Sequence, residues 1–311
     1  MQAPRLTASL WGQLVLLSVL WGASFALMKV VVLELPPLTT VAARMVLSAL
    51  ILLPLLGMVG ARVPRDRSLW LLGLGLGSVV NVVPFALIGW SQQTIGPGLA
   101  AIINATTPLF VVAAAPFFFA DERLTLSRVG GILLGLVGVV VLIGPSALRG
   151  TSGEVLPLLA GVLAAMFYAA AGIWTRKMAG RHTVWTLNFV TCAGAAIVAS
   201  VLAMVVDQPW QYRPAPSTVL ALLLLAGGAT VGAYFLYYNV LRGGGATSGA
   251  LTTQLVPLSA AAFGAVLFGD RLGLNAIAAF ALIAAGFALV DGRILRLFRR
   301  QEAANAPPRS L

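Results

Sequence analysis

Apolar positions along the chain do not alternate with polar ones. They gather into long runs, ten in all, which we place at residues 9–31, 37–58, 68–90, 97–119 and 127–145, then 155–176, 183–206, 216–240, 245–268 and 273–292. Most of these are about twenty residues long, the length that roughly 30 Å of hydrocarbon asks of a helix rising 1.5 Å per residue. A membrane barrel would show a polar residue at every second position, and stretches such as Ile132 to Ile143 show none. The pattern therefore predicts an all-α integral membrane protein with ten transmembrane helices. The polar segment from Pro145 to Glu154, containing Gly150, Ser152 and Gly153, separates the first five runs from the last five.

The two sets of five are copies. Between Leu99 and Leu124, an apolar run holds Asn104, Thr106, Thr107 and Pro108 and closes on Asp121-Glu122-Arg123-Leu124. Between Gly249 and Leu272, a second holds Thr252, Thr253, Gln254 and Pro257 and closes on Gly269-Asp270-Arg271-Leu272. Pro108 and Pro257 lie 149 positions apart, the Arg-Leu pairs 148. At the same offset Lys29 answers Lys177, Gly138 answers Gly286, and Asn81 answers Thr230. Five is odd, so the second copy enters the membrane upside down, which predicts two inverted five-helix repeats around a central cavity. The expected organisation is residues 1–148 and 149–292 as the repeats, followed by a basic tail over 293–311.

Composition agrees with the class: 59% of residues are hydrophobic and only 9% charged, against roughly 25% charged in soluble chains. The net charge of +11 falls between the apolar runs rather than in a patch with exposed aromatics, so nucleic acid is not an expected partner. With the N-terminus cytoplasmic, fifteen Lys and Arg fall on the inner side; the other side has four, Lys29, Arg149, Arg213 and Arg271, with Arg44 left inside the second run. Both termini are thus expected in the cytoplasm, with the tail near anionic headgroups. One cysteine, Cys192, and one histidine, His182, leave no metal site or cofactor to expect, and make most nucleophile–base arrangements impossible, so no enzyme is expected.

Polar residues in hydrocarbon are expensive and are site candidates by default. Asn81 and Phe85, with Ile88, share one helix face, as do Thr230, Tyr234 and Tyr237. Asn104 and Thr107 lie one turn apart, and Thr253 and Gln254 stand at the equivalent depth. These four helices would enclose a chamber whose amides and hydroxyls meet a zwitterion, while Phe85, Tyr168, Tyr234 and Tyr237 give flat apolar surface. Trp21, near mid-span beside Gly22, Ser24 and Phe25, either lines the same chamber or packs. For the amides and hydroxyls the alternative is a bond to a neighbouring helix, worth about 0.6 kcal/mol. Tyr238, Trp11, Trp70, Trp185 and Trp210 read as interfacial anchors.

Pro108 and Pro257 each remove a backbone donor, which makes them matched bends or hinges. Arg44 needs water, an acid or carbonyls, with Glu34 the nearest acid in sequence; it is either structural or part of a gating path. Lys29 and Lys177 sit near span ends, where long side chains snorkel. Gly73-x-Gly75-x-Gly77, Gly131-x3-Gly135 and Gly227-Gly228 read as close helix contacts. The acid-Arg-Leu corners read as structural.

Trp21-Gly22-Ala23-Ser24-Phe25, Lys29, Arg44, a membrane proline followed by Glu122-Arg123-Leu124 or Asp270-Arg271-Leu272, and the duplication together resemble the EamA-type drug/metabolite transporter superfamily over nearly the whole chain. Within it the resemblance leans to the YddG-type exporters of aromatic and other amino acids. The resemblance implies an inner-membrane secondary transporter that exports small metabolites by alternating access, with the lipid bilayer as its surroundings and a monomer or homodimer as its state. No span carries Asp or Glu in its middle third, so movement is expected to be uncoupled or weakly coupled. The alternatives are a sugar-phosphate or nucleotide-sugar exchanger, which would gather several basic residues in the cavity, a channel, and an intramembrane enzyme. The first corner reads Ala120-Asp121-Glu122 where the second reads Gly269-Asp270, so its equivalent acid is ambiguous.

Overall fold

The computed structural model describes residues 8–120, 122–148, 152–178 and 183–291. The tail over 293–311, His182, Asp121 and residues 149–151 between the halves lie outside them. Among the described residues all regular secondary structure is helical; nine of the ten apolar runs form helices long enough to cross a membrane, and the run at 245–268 gives a shorter apolar helix, Thr252–Phe268. The first half comprises α1 (Ala8–Val32), α2 (Pro37–Met58), α3 (Arg67–Gln92), α4 (Pro97–Phe117) and α5 (Leu126–Leu148). The second comprises α6 (Ser152–Met178), α7 (Val184–Asp207), α8 (Pro216–Val240), α9 (Thr252–Phe268) and α10 (Leu274–Asp291).

Local chemistry starts and stops these helices. Pro37, Pro97 and Pro216 stand in the first turns of α2, α4 and α8, where a missing N–H costs nothing. Asp66 and Thr183 cap α3 and α7, their side chains accepting from Ser68 N and Thr186 N at 2.9 and 3.2 Å. Gly269, at φ +66°, ends α9 in the left-handed conformation. The backbone is helical in one run from Ala233 to Phe268. Tyr237 and Ser259 nonetheless both reach α1, at Trp21 and at Ser18. A straight helix would hold them about 33 Å apart, so the run folds back on itself and supplies two spans.

The packing has a pseudo-twofold pattern in which the halves exchange roles. Helix α1 packs on α8 and α9, and its counterpart α6 packs on α3 and α4. Helix α3 lies on α7, and α8 on α2. The pairs α2–α7, α4–α9 and α5–α10 are their own counterparts. At α5–α10 the backbones nearly touch: a Cβ on Gly286 would stand 2.5 Å from Gly131 O and 2.9 Å from Gly135 N, and one on Gly138 would stand 2.9 Å from Ala279 O. Residues 131 and 279, and 138 and 286, are separated by the 148-residue period, so one contact is the image of the other.

The α3–α7 contact is equally close, since a Cβ on Gly73 would lie 2.5 Å from Val190 O and one on Gly77 would lie 2.8 Å from Ala195 N. Gly227 and Gly228 do not make such a contact. Gly228 meets nothing within 4 Å and Gly227 only the tip of Ile51, because they belong to a wider π-helical segment, Leu225–Gly232. A second π-helical segment, Ser78–Val82, sits at the equivalent place in α3.

Candidate functional site

A cavity of about 280 Å³ lies where α1, α2, α3, α4, α6, α8 and α9 meet, so both repeats build its wall. From α1 come Trp21, Ser24, Phe25 and Met28, spaced as one helix face; from α2 comes Arg44. Phe85, Ile88 and Gln92 enter from α3, Asn104 and Thr107 from α4, and Tyr168 from α6. The opposite wall is Ala229, Tyr234 and Tyr237 of α8 with Thr253 and Val256 of α9. The rings make a nearly continuous lining: Trp21 packs on Tyr237 at 5.3 Å between centroids, and Phe85 meets Tyr168 edge-on at 6.2 Å. Tyr238 backs this wall, stacked on Tyr234 at 6.4 Å and against Tyr237 at 5.9 Å, rather than serving as an interfacial anchor.

Eight of the eleven candidate ligands are therefore brought together, while Asn81, Thr230 and Gln254 are not. The first two share one physical reason. Each lies in a π-helical segment, whose i→i+5 bonding inserts a residue and turns the preceding face by about 100°. Thus Ala229, five residues before Tyr234, occupies the wall position that a 3.6-residue period assigns to Thr230. Thr230 turns instead toward α2, donating to Leu225 O at 2.9 Å and accepting from Arg44 Nε at 3.0 Å. Asn81 is buried with its Oδ1 unpartnered. Gln254, one helical step from Thr253, has both amide atoms buried away from the chamber. The residues missed were Ser24, Met28 and Gln92 above all; the first two follow Trp21 at helical spacing, and Gln92 lay just beyond the assigned end of its span.

Arg44 is the one basic residue in the cavity wall, and only 3% of it is exposed. Its Cζ stands 4.0 Å above the Phe85 ring, a cation–π contact. Glu34 is not its partner, because that carboxylate accepts from Ala215 N at 2.8 Å. The two prolines, Pro108 and Pro257, sit in different local structure. Helix α4 breaks after Asn104 and restarts at Thr107, whereas Pro257 is carried inside a helix. The carbonyl that Pro108 leaves free belongs to Asn104, and the Thr107 hydroxyl donates to it at 2.8 Å.

The corners lie away from the cavity. Glu122 accepts from Arg176 Nη1 at 2.7 Å and Arg128 Nη1 at 2.9 Å, tying the α4–α5 connection to the end of α6. The Arg176 hydrogen bond is the main reason its carboxyl is held below the usual glutamate value. Glu122, 148 positions before Asp270, thus carries an ion-pair role at the first corner. The Lys29 Nζ donates to Gln92 O and, at 3.2 Å, to Ile95 O, closing the end of α3. Burial lifts the Asp270 carboxyl, and nearby Lys29 partly opposes the shift. Lys177 stacks 4.7 Å above Phe118, at the rim of a larger apolar recess of about 620 Å³ between α4 and α6. Phe117 in that recess is 82% exposed, so it faces the surroundings of the bundle. Among the described residues no group of His, Cys, Asp and Glu is placed to hold a metal ion.

Comparison with known proteins agrees with this architecture. The pattern of the EamA-like transporter family matches twice, over residues 9–144 and 155–290. An uncharacterized inner membrane transporter of Escherichia coli K12, YedA, is 28% identical over 281 residues, covering 89% of this chain and 87% of that protein. A probable amino-acid metabolite efflux pump of Salmonella typhimurium is 29% identical, covering 87% and 91%. An S-adenosylmethionine/S-adenosylhomocysteine transporter of Chlamydia trachomatis is 30% identical, covering 89% and 85%. A crystal structure at 21% identity superposes with a TM-score of 0.65 over 93% of this chain and 99% of its own, which shows a shared fold.

Proposed function

Because the chain belongs to the EamA-like transporter family, and so is a multi-pass inner-membrane transporter, we propose that it exports amino acids, aromatic ones among them, through its central cavity by alternating access. The observation that carries this reading is the cavity itself: flat rings, amides and hydroxyls contributed by both repeats, with a single guanidinium and no carboxylate among its lining residues. Such a wall suits a small zwitterion with an apolar body. Lys29 and Lys177 are engaged elsewhere, which argues against the clustered cations that a phosphate exchanger would use. With neither a carboxylate nor His in the wall, movement runs down the substrate's own gradient. The positive-inside distribution supports cytoplasmic termini.

Counterflow of labelled tryptophan or phenylalanine in proteoliposomes tests the proposal. Saturable counterflow without proton flux, reduced at least tenfold by Tyr234→Ala at equal protein in the membrane, is expected. Ion-like conductance, or counterflow of phosphates but not amino acids, would sink it.

A further inference from the structure

Resting on the same cavity, we infer that Arg44 is the carboxylate receptor of the site, so that selectivity is for molecules bearing a carboxylate on an apolar body and against amines lacking one. A guanidinium carries five N–H donors and stays charged. Arg44 commits one of them, Nε, to Thr230 Oγ1 at 3.0 Å, and lays its plane over Phe85 at 4.0 Å. Among the described residues no carboxylate pairs with it and neither Nη donates to a protein acceptor, although the side chain is 97% removed from solvent by its 3% exposure. A buried charge left this way is costly unless something arrives to meet it. The two Nη groups form one side of a planar fork, the geometry that takes a carboxylate through two parallel hydrogen bonds.

The π-helical segment of α8 explains how the fork is aimed. By turning Thr230 off the cavity face and onto α2 it pins Nε, and by bringing Ala229 onto that face it keeps a small side chain at the wall. Thr230 is in this sense a positioning residue, acting through the guanidinium. Hydrogen bonds to a charged group contribute about 1.5–3 kcal/mol, so loss of the fork should weaken carboxylate binding by roughly ten- to a hundredfold.

The test is a binding panel on the purified full chain, read by calorimetry or ligand-induced thermal shift, with tryptophan, indole-3-propionate and tryptamine as probes. Indole-3-propionate is expected to bind within about tenfold of tryptophan, and tryptamine at least about tenfold more weakly. Arg44→Gln should abolish the preference, and Thr230→Val should reduce it while Arg44→Lys restores part of it relative to the glutamine variant. Tryptamine binding as well as indole-3-propionate to the unaltered protein would overturn the inference, whatever the variants do. So would a preference that survives Arg44→Gln. If the carboxylate preference holds but no amino acid shows counterflow, the export reading fails and the role of Arg44 stands.

Discussion

Substituting Gly286 by alanine tests the exchange of roles between the repeats. The added carbon would lie 2.5 Å from Gly131 O and 2.9 Å from Gly135 N, both backbone atoms that no rotamer change can move away. Ordinary contact begins near 3.4 Å, so α5 and α10 must part by about 0.9 Å locally. Overpacking of this kind costs about 1–3 kcal/mol. Gly130, exposed on α5 with nothing within 4 Å, is the control; alanine there should be neutral or gain up to about 1 kcal/mol of helix propensity. Thermal or denaturant unfolding of purified protein should therefore separate the two variants by at least about 1 kcal/mol. Gly131→Ala should behave like Gly286→Ala, and the double variant should cost less than the sum, because one separation relieves both clashes. Equal stability of Gly286→Ala and Gly130→Ala, or strict additivity, would refute the close α5–α10 contact.

Two further outcomes follow from the corners. Lys29→Met should destabilise the protein by about 1–2 kcal/mol, since it strips the cation from the carbonyls ending α3. Lys177→Met loses only a ring contact, so it should cost less than about 1 kcal/mol; equal losses in thermal unfolding would contradict the asymmetry. For Glu122, whose carboxyl is held low chiefly by Arg176, stabilisation is present above the ordinary glutamate range near about 4.3 and is lost as pH falls through the depressed value. The stability gap between wild type and Glu122→Gln should thus close on acidification; a gap that widens would show the pairing is not stabilising.

Much of the fold was legible because hydrocarbon thickness dictates run length and duplication dictates register. The apolar helices, a close helix contact at Gly131 and Gly135, and most of the cavity wall were read from these constraints. What escaped reading was a single inserted residue per π-helical segment. Periodicity taken at 3.6 residues put Asn81 and Thr230 on the cavity face, and nothing in the side chains of Ser78–Val82 or Leu225–Gly232 announces the wider turn. The different surroundings of Pro108 and Pro257 were not legible for a related reason. A proline guarantees a missing donor, but whether the helix breaks depends on neighbours such as Thr106 and Thr107, whose hydroxyls take up carbonyls of the interrupted turn.

That broken helix distinguishes the two faces of the membrane. In an exact dimer of repeats, the step that opens one side would be the mirror of the step that opens the other, and forward and backward passage would have equal rate constants. Here, among the described residues, α4 is interrupted for two residues at Ala105–Thr106, while its partner α9 runs through its proline. Under the alternating access proposed above, the two opening steps would cross unequal barriers. On that proposal the carrier would show different half-saturation concentrations and maximal rates when loaded from opposite sides, yet bring its substrate to the same final distribution from either direction.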